Sequence, residues 1–168
     1  MINIEIEAQD SVSSARVCRF LLNGQEVKTP LFMPVGTLAT VKTLDSEELE
    51  EIGFPIILAN TYHLCLRPGE KVVENSGGIH SFMAFKNRVL TDSGGFQIFS
   101  LSGMRKVDDQ GVDFRSVYDG SLHRFTPERV IDIQRSLGSD IMMVLDECPP
   151  GDADRKIVQR SLERTHRW

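Results

Sequence analysis

Two aspartates stand where short apolar runs stop. Asp92 follows the run from Arg88 to Thr91 and opens Asp92-Ser93-Gly94-Gly95, and Asp146 follows Ile141 to Leu145 and opens the segment DECPP. A carboxylate at the end of a buried run can accept a pair of adjacent N–H donors or exchange a proton with a ligand. Asn60 is likewise the first polar residue after Phe54 to Ala59, and Gly36 closes Leu31 to Val35. Beside Asp92, the two glycines let backbone come close to a flat ligand and offer amide donors, and Phe96 can cover one of its faces. The remaining reactive residues carry less. Cys18, Cys65 and Cys148 are an odd number at wide spacing, with no CxxC pair and no histidine placed to complete a zinc site, so they read as reduced thiols and no residue is assigned to a metal. His63 and His80 read as packing histidines, and Arg155, Lys156, Arg160, Arg164 and Arg167 as the solvated face of a helix.

The elements that must hold these groups alternate between strand and helix. Isoleucines alternate with polar residues over 2 to 6, and Arg16 to Leu22, Asn23-Gly24 and Gln25 to Lys28 predict a hairpin closed by a type I′ turn. The run Leu31 to Val35 is a first buried strand. LDSEELEEIG then predicts a helix, with Asp45 or Ser46 as cap, acidic first turns and Gly53 as its stop. Phe54 to Ala59 and Arg88 to Thr91 follow as strands, and a second hairpin places Val112 and Phe114 before the Asp119-Gly120 turn and Leu122 after it. TPERVIDIQRSLG is the best-marked helix: Thr126 caps it, Pro127 takes its first position, Val130, Ile133 and Leu137 form its stripe, and Gly138 ends it. Ile141 to Leu145 is the fourth strand, and a last helix from near Asp152 is expected to bury Ala153, Ile157, Val158 and Leu162. That helix is still running at Trp168 without a stop signal.

Nearly continuous apolar strands separated by helices predict a parallel sheet covered on both faces, with Gly36, Asn60, Asp92 and Asp146 at the strand ends where ligands gather. Such a sheet is either complete, as in a flavodoxin-like small-molecule enzyme, or half of an eight-stranded barrel, and the unstopped last helix favours the half barrel. The chain has 168 residues, 40% hydrophobic and 26% charged, which suits one globular domain, and no disorder is expected. No basic and apolar leader opens it, and no run reaches the roughly 18 apolar residues of a membrane span, so a soluble, cytoplasmic protein without membrane contact is expected. A net charge of −5 weighs against a large nucleic-acid surface.

Four stretches carry a resemblance. TPLFMPVGTLATVKTL, ILANTYHLCLRPG, GGIHSFMAFKNRVLTDSGGFQIFSL and SLHRFTPERVIDIQRSLGSDIMM with LDECPP are similar, in order and spacing, to the bacterial tRNA-guanine transglycosylases, from about residue 12 to Trp168. The resemblance implies an α/β fold: a (β/α)8 TIM barrel of which the first half is present, with residues 1–30 as an antiparallel insertion and 31–168 as the first four strand-helix units. It implies exchange of guanine at the anticodon wobble position of tRNA for a 7-deazaguanine precursor, preQ1 or queuine, in queuosine biosynthesis. Asp146 falls on the position that accepts N1–H and N2–H of the base, and Asp92 on the proton acceptor beside base and ribose. Two carboxylates around one pocket predict a raised pKa through mutual repulsion. Ser93, Gly94, Gly95 and Phe96 would line the base, with Asn60, Gln97 and Cys148 as secondary candidates. Phe96 stands where some members carry tyrosine, which keeps the stacking and loses the phenol. The family's attacking aspartate and its zinc ligands belong to the second half, and a homodimer is implied for the complete protein. Inactive paralogues that pair with a catalytic chain, and archaeal relatives acting at another tRNA position, are the nearest alternatives. The chain alone is expected to be inactive and prone to self-association.

Overall fold

The computed structural model describes residues 3–101, 103 and 105–168. The first three strands, β1 (Ile4–Gln9), β2 (Arg16–Leu22) and β3 (Gln25–Thr29), form an antiparallel sheet in that order. Asn23 and Gly24 have φ of 49° and 83°, so both central residues of the β2–β3 turn are left-handed, as a type I′ turn requires. β1 runs to Gln9, beyond the expected 2 to 6, and Ile2 lies outside the described residues.

The next strand, β4, is only Val35–Gly36 rather than the whole run from Leu31. Pro34 lacks the N–H that a ladder needs and contributes only its carbonyl, which accepts Leu58 N–H at 2.9 Å. Helix α1 (Ser46–Ile52) is closed at both ends as expected. Asp45 and Glu48 form a reciprocal capping box, and Gly53 adopts φ 89° at the C-terminus. Strand β5 (Ile56–Ala59) starts two residues late because Pro55 again supplies only a carbonyl, here to Arg88 N–H at 3.1 Å. Three short helices that the sequence reading did not delimit follow: α2 (Thr61–Leu66), α3 (Glu70–Asn75) and α4 (Ile79–Met83). Strand β6 (Arg88–Thr91) has the expected bounds, and a further short helix, α5 (Gly95–Leu101), succeeds it.

The second hairpin is a three-stranded sheet, since β7 (Arg105–Asp108) precedes β8 (Gly111–Arg115) and β9 (Leu122–Phe125). Its buried face, Val112, Phe114 and Phe125, joins the main core. Helix α6 (Pro127–Leu137) matches its prediction at both ends: Thr126 Oγ1 accepts Arg129 N–H at 3.1 Å, and Gly138 has φ 75°. Strand β10 is Ile141–Met142, not Ile141 to Leu145. Met143 N–H still reaches Thr91 O at 3.1 Å, but Gln134 of α6 also accepts that N–H at 3.0 Å and donates to Met143 O at 2.9 Å. A helix side chain thus takes the place of a neighbouring strand, and the chain leaves the sheet there.

The last helix, α7 (Arg155–Arg167), begins after Asp154, whose side chain accepts Ile157 N–H at 2.9 Å. The expected apolar burial fails: Ile157, Val158 and Leu162 are 37%, 45% and 53% exposed, and only Ser161 is buried. Polar contacts hold the helix instead. Arg164 pairs with Glu147 at 2.5 Å and Asp109 at 3.3 Å, Arg167 pairs with Asp109 at 3.0 Å, and Trp168 Nε1 donates to Asp109 O. Arg164 and Arg167 are therefore tethers rather than part of a purely solvated face.

The parallel sheet has the order β10-β6-β5-β4, so strands adjacent in it follow one another in the sequence with no reversal. Alternate residues face opposite ways. Ile57, Ala59 and Val89 pack with Leu49, Tyr62, Leu64, Val73, Ile79, Val130, Ile133 and Leu137 from the helices. Ile56, Leu90 and Ile141 pack instead with Phe20, Leu22 and Val27 of the N-terminal hairpin and with Leu31 and Met33. Helices thus cover one face of the sheet and a β hairpin meets the other, which corrects the expectation of helices on both.

Candidate active site

Pairing of β5 with β6 puts Ala59 opposite Thr91, so the residues that follow, Asn60 and Asp92, emerge side by side. Asn60 stands at the N-cap of α2 in extended conformation but makes no capping hydrogen bond. Its amide instead donates to Asp92 Oδ2 at 2.5 Å, while Thr61 N–H donates to Asp92 Oδ1 at 2.9 Å and Thr61 Oγ1 to Asp92 O at 2.5 Å. Asp92, from the neighbouring strand, thereby takes the capping role, and the helix N-terminus favours its negative charge. Burial pushes the Asp92 carboxyl above its ordinary range, and hydrogen bonds from Asn60, Thr61, Gln97 and Gly94 pull it back. The raised value thus has desolvation as its leading cause, in place of the expected repulsion between carboxylates.

Ser93 connects the two aspartates. It is buried, its backbone continues from Asp92, and its hydroxyl donates to Asp146 Oδ1 at 2.6 Å while accepting Gly95 N–H at 3.1 Å. Asp146 Oδ2 accepts the Cys148 thiol at 3.1 Å. That thiol is pushed up to about 12, by burial first and by Asp146 second, so it stays protonated and acts as a donor. With one donor on each oxygen, Asp146 keeps lone pairs for a ligand. It sits four residues beyond the end of β10, and its position is held by buried Leu145 and by Gln134 at Met143.

The glycines are demanded by the site's own packing. A Cβ on Gly95 would lie 2.5 Å from both Asp146 O and Oδ1, and one on Gly94, whose φ is 80°, would lie 3.1 Å from Tyr62 N and Cβ. The close approach they permit on those sides is of protein to protein. Phe96, in the first turn of α5, is 64% exposed. Among the described residues, Gln97 Oε1 is buried without a hydrogen-bond partner.

Several participants were not singled out from the sequence. Thr61 is the clearest, and its signal was available: two polar residues directly after a buried strand mark a helix N-terminus with free donors. His63, two residues further along α2 and read from the sequence only as a packing histidine, bonds through Nδ1 to Tyr118 Oη at 3.0 Å. Burial lowers its pKa while the Asp92 charge raises it, which places His63 within the field of the cluster. His80 is the satisfied packing histidine that was expected, bonded to Asp140 at 2.9 Å. A cavity of about 330 Å³ between α6, Val144, Leu145 and Trp168 contains neither carboxylate. The strand-end cluster remains the better candidate, because it gathers a half-buried carboxylate, a buried acceptor and the donors that chemistry needs. Among the described residues no group of three or more His, Cys, Asp or Glu side chains could hold a metal ion, and no helix is long and apolar enough to cross a membrane.

Fold and cluster together define a mixed α/β protein with carboxylates gathered beyond the ends of parallel strands. Residues 10–168 match the family model described as queuine tRNA-ribosyltransferase, and the chain belongs to that family. Its similar relatives include proteins named queuine tRNA-ribosyltransferase from Leptospira biflexa serovar Patoc, 54% identical over 159 residues (95% of this chain, 43% of the relative), and from Thermoanaerobacter sp. strain X514, 54% identical over 167 residues (99% and 44%). A third, from Enterococcus faecalis, is 53% identical over 167 residues, again 99% and 44%. The chain therefore spans somewhat less than half the length of the curated relatives it matches.

Proposed function

We propose that this chain is the base-binding part of a tRNA-guanine transglycosylase, which exchanges guanine at the wobble position of a tRNA anticodon for a 7-deazaguanine, preQ1 or queuine. The observation that carries the reading is the linked cluster Asn60–Asp92–Ser93–Asp146–Cys148 at the strand ends. In this reading Asp146 accepts N1–H and N2–H of the base on the lone pairs that Ser93 and Cys148 leave open. Asp92 exchanges the proton that the departing base gains and the incoming base loses. Its raised pKa brings it closer to neutrality, which suits a group that must both take and return a proton. Its resting hydrogen bonds hold it toward α2, so a substrate must take over at least one of them. Gln97 Oε1, buried and without a partner among the described residues, is an acceptor for a further donor of the substrate. Phe96 is free to stack on the base, and Gly94 and Gly95 line it with backbone. We assign no residue of this chain to attack on the ribose.

The unbroken parallel order and the helices on one face only support the first half of a (β/α)8 barrel with residues 1–30 as an antiparallel addition. A flavodoxin-like sheet would reverse its order at a switch point and carry helices on both faces. A cytoplasmic location and a homodimer of the complete protein belong to the same proposal. So does structural zinc, for which the described residues offer no ligand set and through which no step is derived.

The test is exchange of labelled guanine into unmodified tRNA by the enzyme that carries this segment. Asp92→Asn should lower the rate by at least about 100-fold, the usual scale for a lost general acid or base. In the unaltered enzyme the rate should fall as pH drops through a value above the ordinary carboxylate range, since the base form is lost on protonation. Near-normal exchange by Asp92→Asn would remove this residue from the mechanism.

A further inference from the structure

The turn between β8 and β9 ends beside the candidate site, and it carries a tyrosine that the transglycosylase reading does not use. Tyr118 is 42% exposed. Its hydroxyl is fixed to His63 Nδ1 at 3.0 Å, and the Arg67 guanidinium carbon lies 5.9 Å over its ring. Arg67 is exposed and, among the described residues, enters no salt bridge; its charge is met only by the face of Tyr118. Local hydrogen bonds fix the backbone that carries both side chains. Ser116 Oγ accepts Tyr118 N–H, Asp119 accepts both the N–H and the hydroxyl of Ser121, and Gly120 N–H closes on Ser116 O. Arg67 N–H is bonded to His63 O at 2.8 Å, and Pro68 follows it.

This pair stands close to the chemistry. Helix α2 carries Thr61, which holds Asp92, at one end and Arg67 just past the other, a rise of roughly 9 Å for six residues. An aromatic ring presented at low entropic cost, backed by a guanidinium with unused N–H groups, is the combination that binds a single-stranded nucleotide: the ring stacks on any base, and the cation reaches the adjoining phosphate. An acidic peptide would need the charge but leave the ring without a partner.

We propose that Tyr118 and Arg67 form a stacking platform for an RNA nucleotide next to the one whose base is exchanged, with Tyr118 against the base and Arg67 on the phosphate. The proposal rests on the transglycosylase reading, since it needs an RNA strand threaded past Asp92. Three variants of the enzyme, Tyr118→Ala, Tyr118→Phe and Arg67→Gln, test it by fluorescence anisotropy with labelled unmodified tRNA at several salt concentrations. Calorimetry with free guanine and thermal melting run alongside. Tyr118→Ala should weaken tRNA binding about tenfold and leave guanine binding unchanged. Tyr118→Phe keeps the ring and should bind tRNA nearly as the unaltered enzyme does. Arg67→Gln should bind tRNA several-fold more weakly and flatten the salt dependence by about one phosphate contact.

If Tyr118→Phe is as weak as Tyr118→Ala, the hydroxyl is a clasp on His63 and the platform is overturned. Unchanged tRNA affinity in a folded Tyr118→Ala overturns it too. Should Tyr118→Ala not melt cooperatively, Arg67→Gln decides, because its side chain is solvated and its loss leaves the fold alone. An unaltered enzyme that binds tRNA while all three variants match it overturns this proposal only. One that binds no tRNA overturns the transglycosylase reading and this proposal with it.

Discussion

Asp146 and Asp92 show how differently two carboxylates behave within one cluster. Asp92 is spent on holding α2 in the resting state, whereas Asp146 has one neutral donor on each oxygen and spare lone pairs. Removing the second should therefore cost binding more than structure. Asp146→Ala is expected to weaken guanine by about 1 to 3 kcal/mol, the scale of a charged hydrogen bond left unmade, and calorimetric titration with an unchanged affinity would assign the base edge to another group. Asp92 and Asn60 could be found in the sequence because apolar runs announce strand ends and a polar residue just past one is conspicuous, and Asp146 because it closes an apolar run, although its strand stops earlier, at Met142. Gln134 and the His63–Tyr118 pair could not, since their bonds span 43 or 9, and 55 residues and depend on pairing that composition does not encode. A raised pKa was expected of at least one of the two carboxylates, through repulsion; it falls on Asp92 and has another cause. Charge count suggests repulsion, and only burial in three dimensions reveals desolvation as the leading cause.

At the level of elements, caps were the most legible feature and strand lengths the least. Asp45, Gly53, Thr126 and Gly138 act through residues within a few positions of themselves, so their patterns carry over directly into geometry. The strands β4, β5 and β10 were overestimated because prolines and a helix side chain, Gln134, interrupt ladders whose apolar runs continue. Gln134 is fully buried and serves Met143 N–H, Met143 O and Thr91 Oγ1. Gln134→Leu should leave Met143 O unpaired and cost about 1 to 3 kcal/mol, read as a lower melting temperature, and should also weaken guanine binding by loosening the segment that leads to Asp146. A variant that melts like the unaltered protein would show that the ladder does not need this side chain. Asp140 makes a second junction, accepting from Asn23 at 2.7 Å, Val89 N–H at 2.9 Å and His80 at 2.9 Å. Although burial, the largest influence, pushes its carboxyl up, the hydrogen bonds of His80, Val89 and Asn23 prevail and hold it below the ordinary range. A depressed carboxylate contributes stability that is complete above its unfolded value, about 3.9, and is lost as pH falls through the folded one. Asp140→Asn should thus flatten the loss of stability below about pH 4 in denaturant titrations, and an unchanged acid limb would place the acid-sensitive group elsewhere.

For the molecule as a whole, the alternation of parallel strands with helices could be read from the sequence, but not which surfaces end up covered. The sheet has two open edges, at β4 and β10, and Met142, Met143 and Val144 beside the second are exposed. Along α7 the residues expected to be buried, Ile157, Val158 and Leu162, face outward, because Arg164, Thr165 and Trp168 are the ones that bond to the body of the fold. Hydrophobic periodicity marks a face as apolar without saying what packs on it. Uncovered apolar faces and unpaired strand edges favour association with any complementary surface. The 168-residue chain on its own should therefore self-associate, seen in light scattering as a mass that rises with concentration. Val158→Lys with Leu162→Lys should reduce the association without lowering the melting temperature, because neither side chain is buried in the fold. If the isolated chain stays monomeric across the concentration range, its exposed α7 stripe and open β10 edge are tolerated by water, and the half-barrel reading loses its physical support. If the double variant associates as strongly as the parent, the contact lies at the sheet edges, and charges placed at Met142 and Val144 should then be the ones that relieve it.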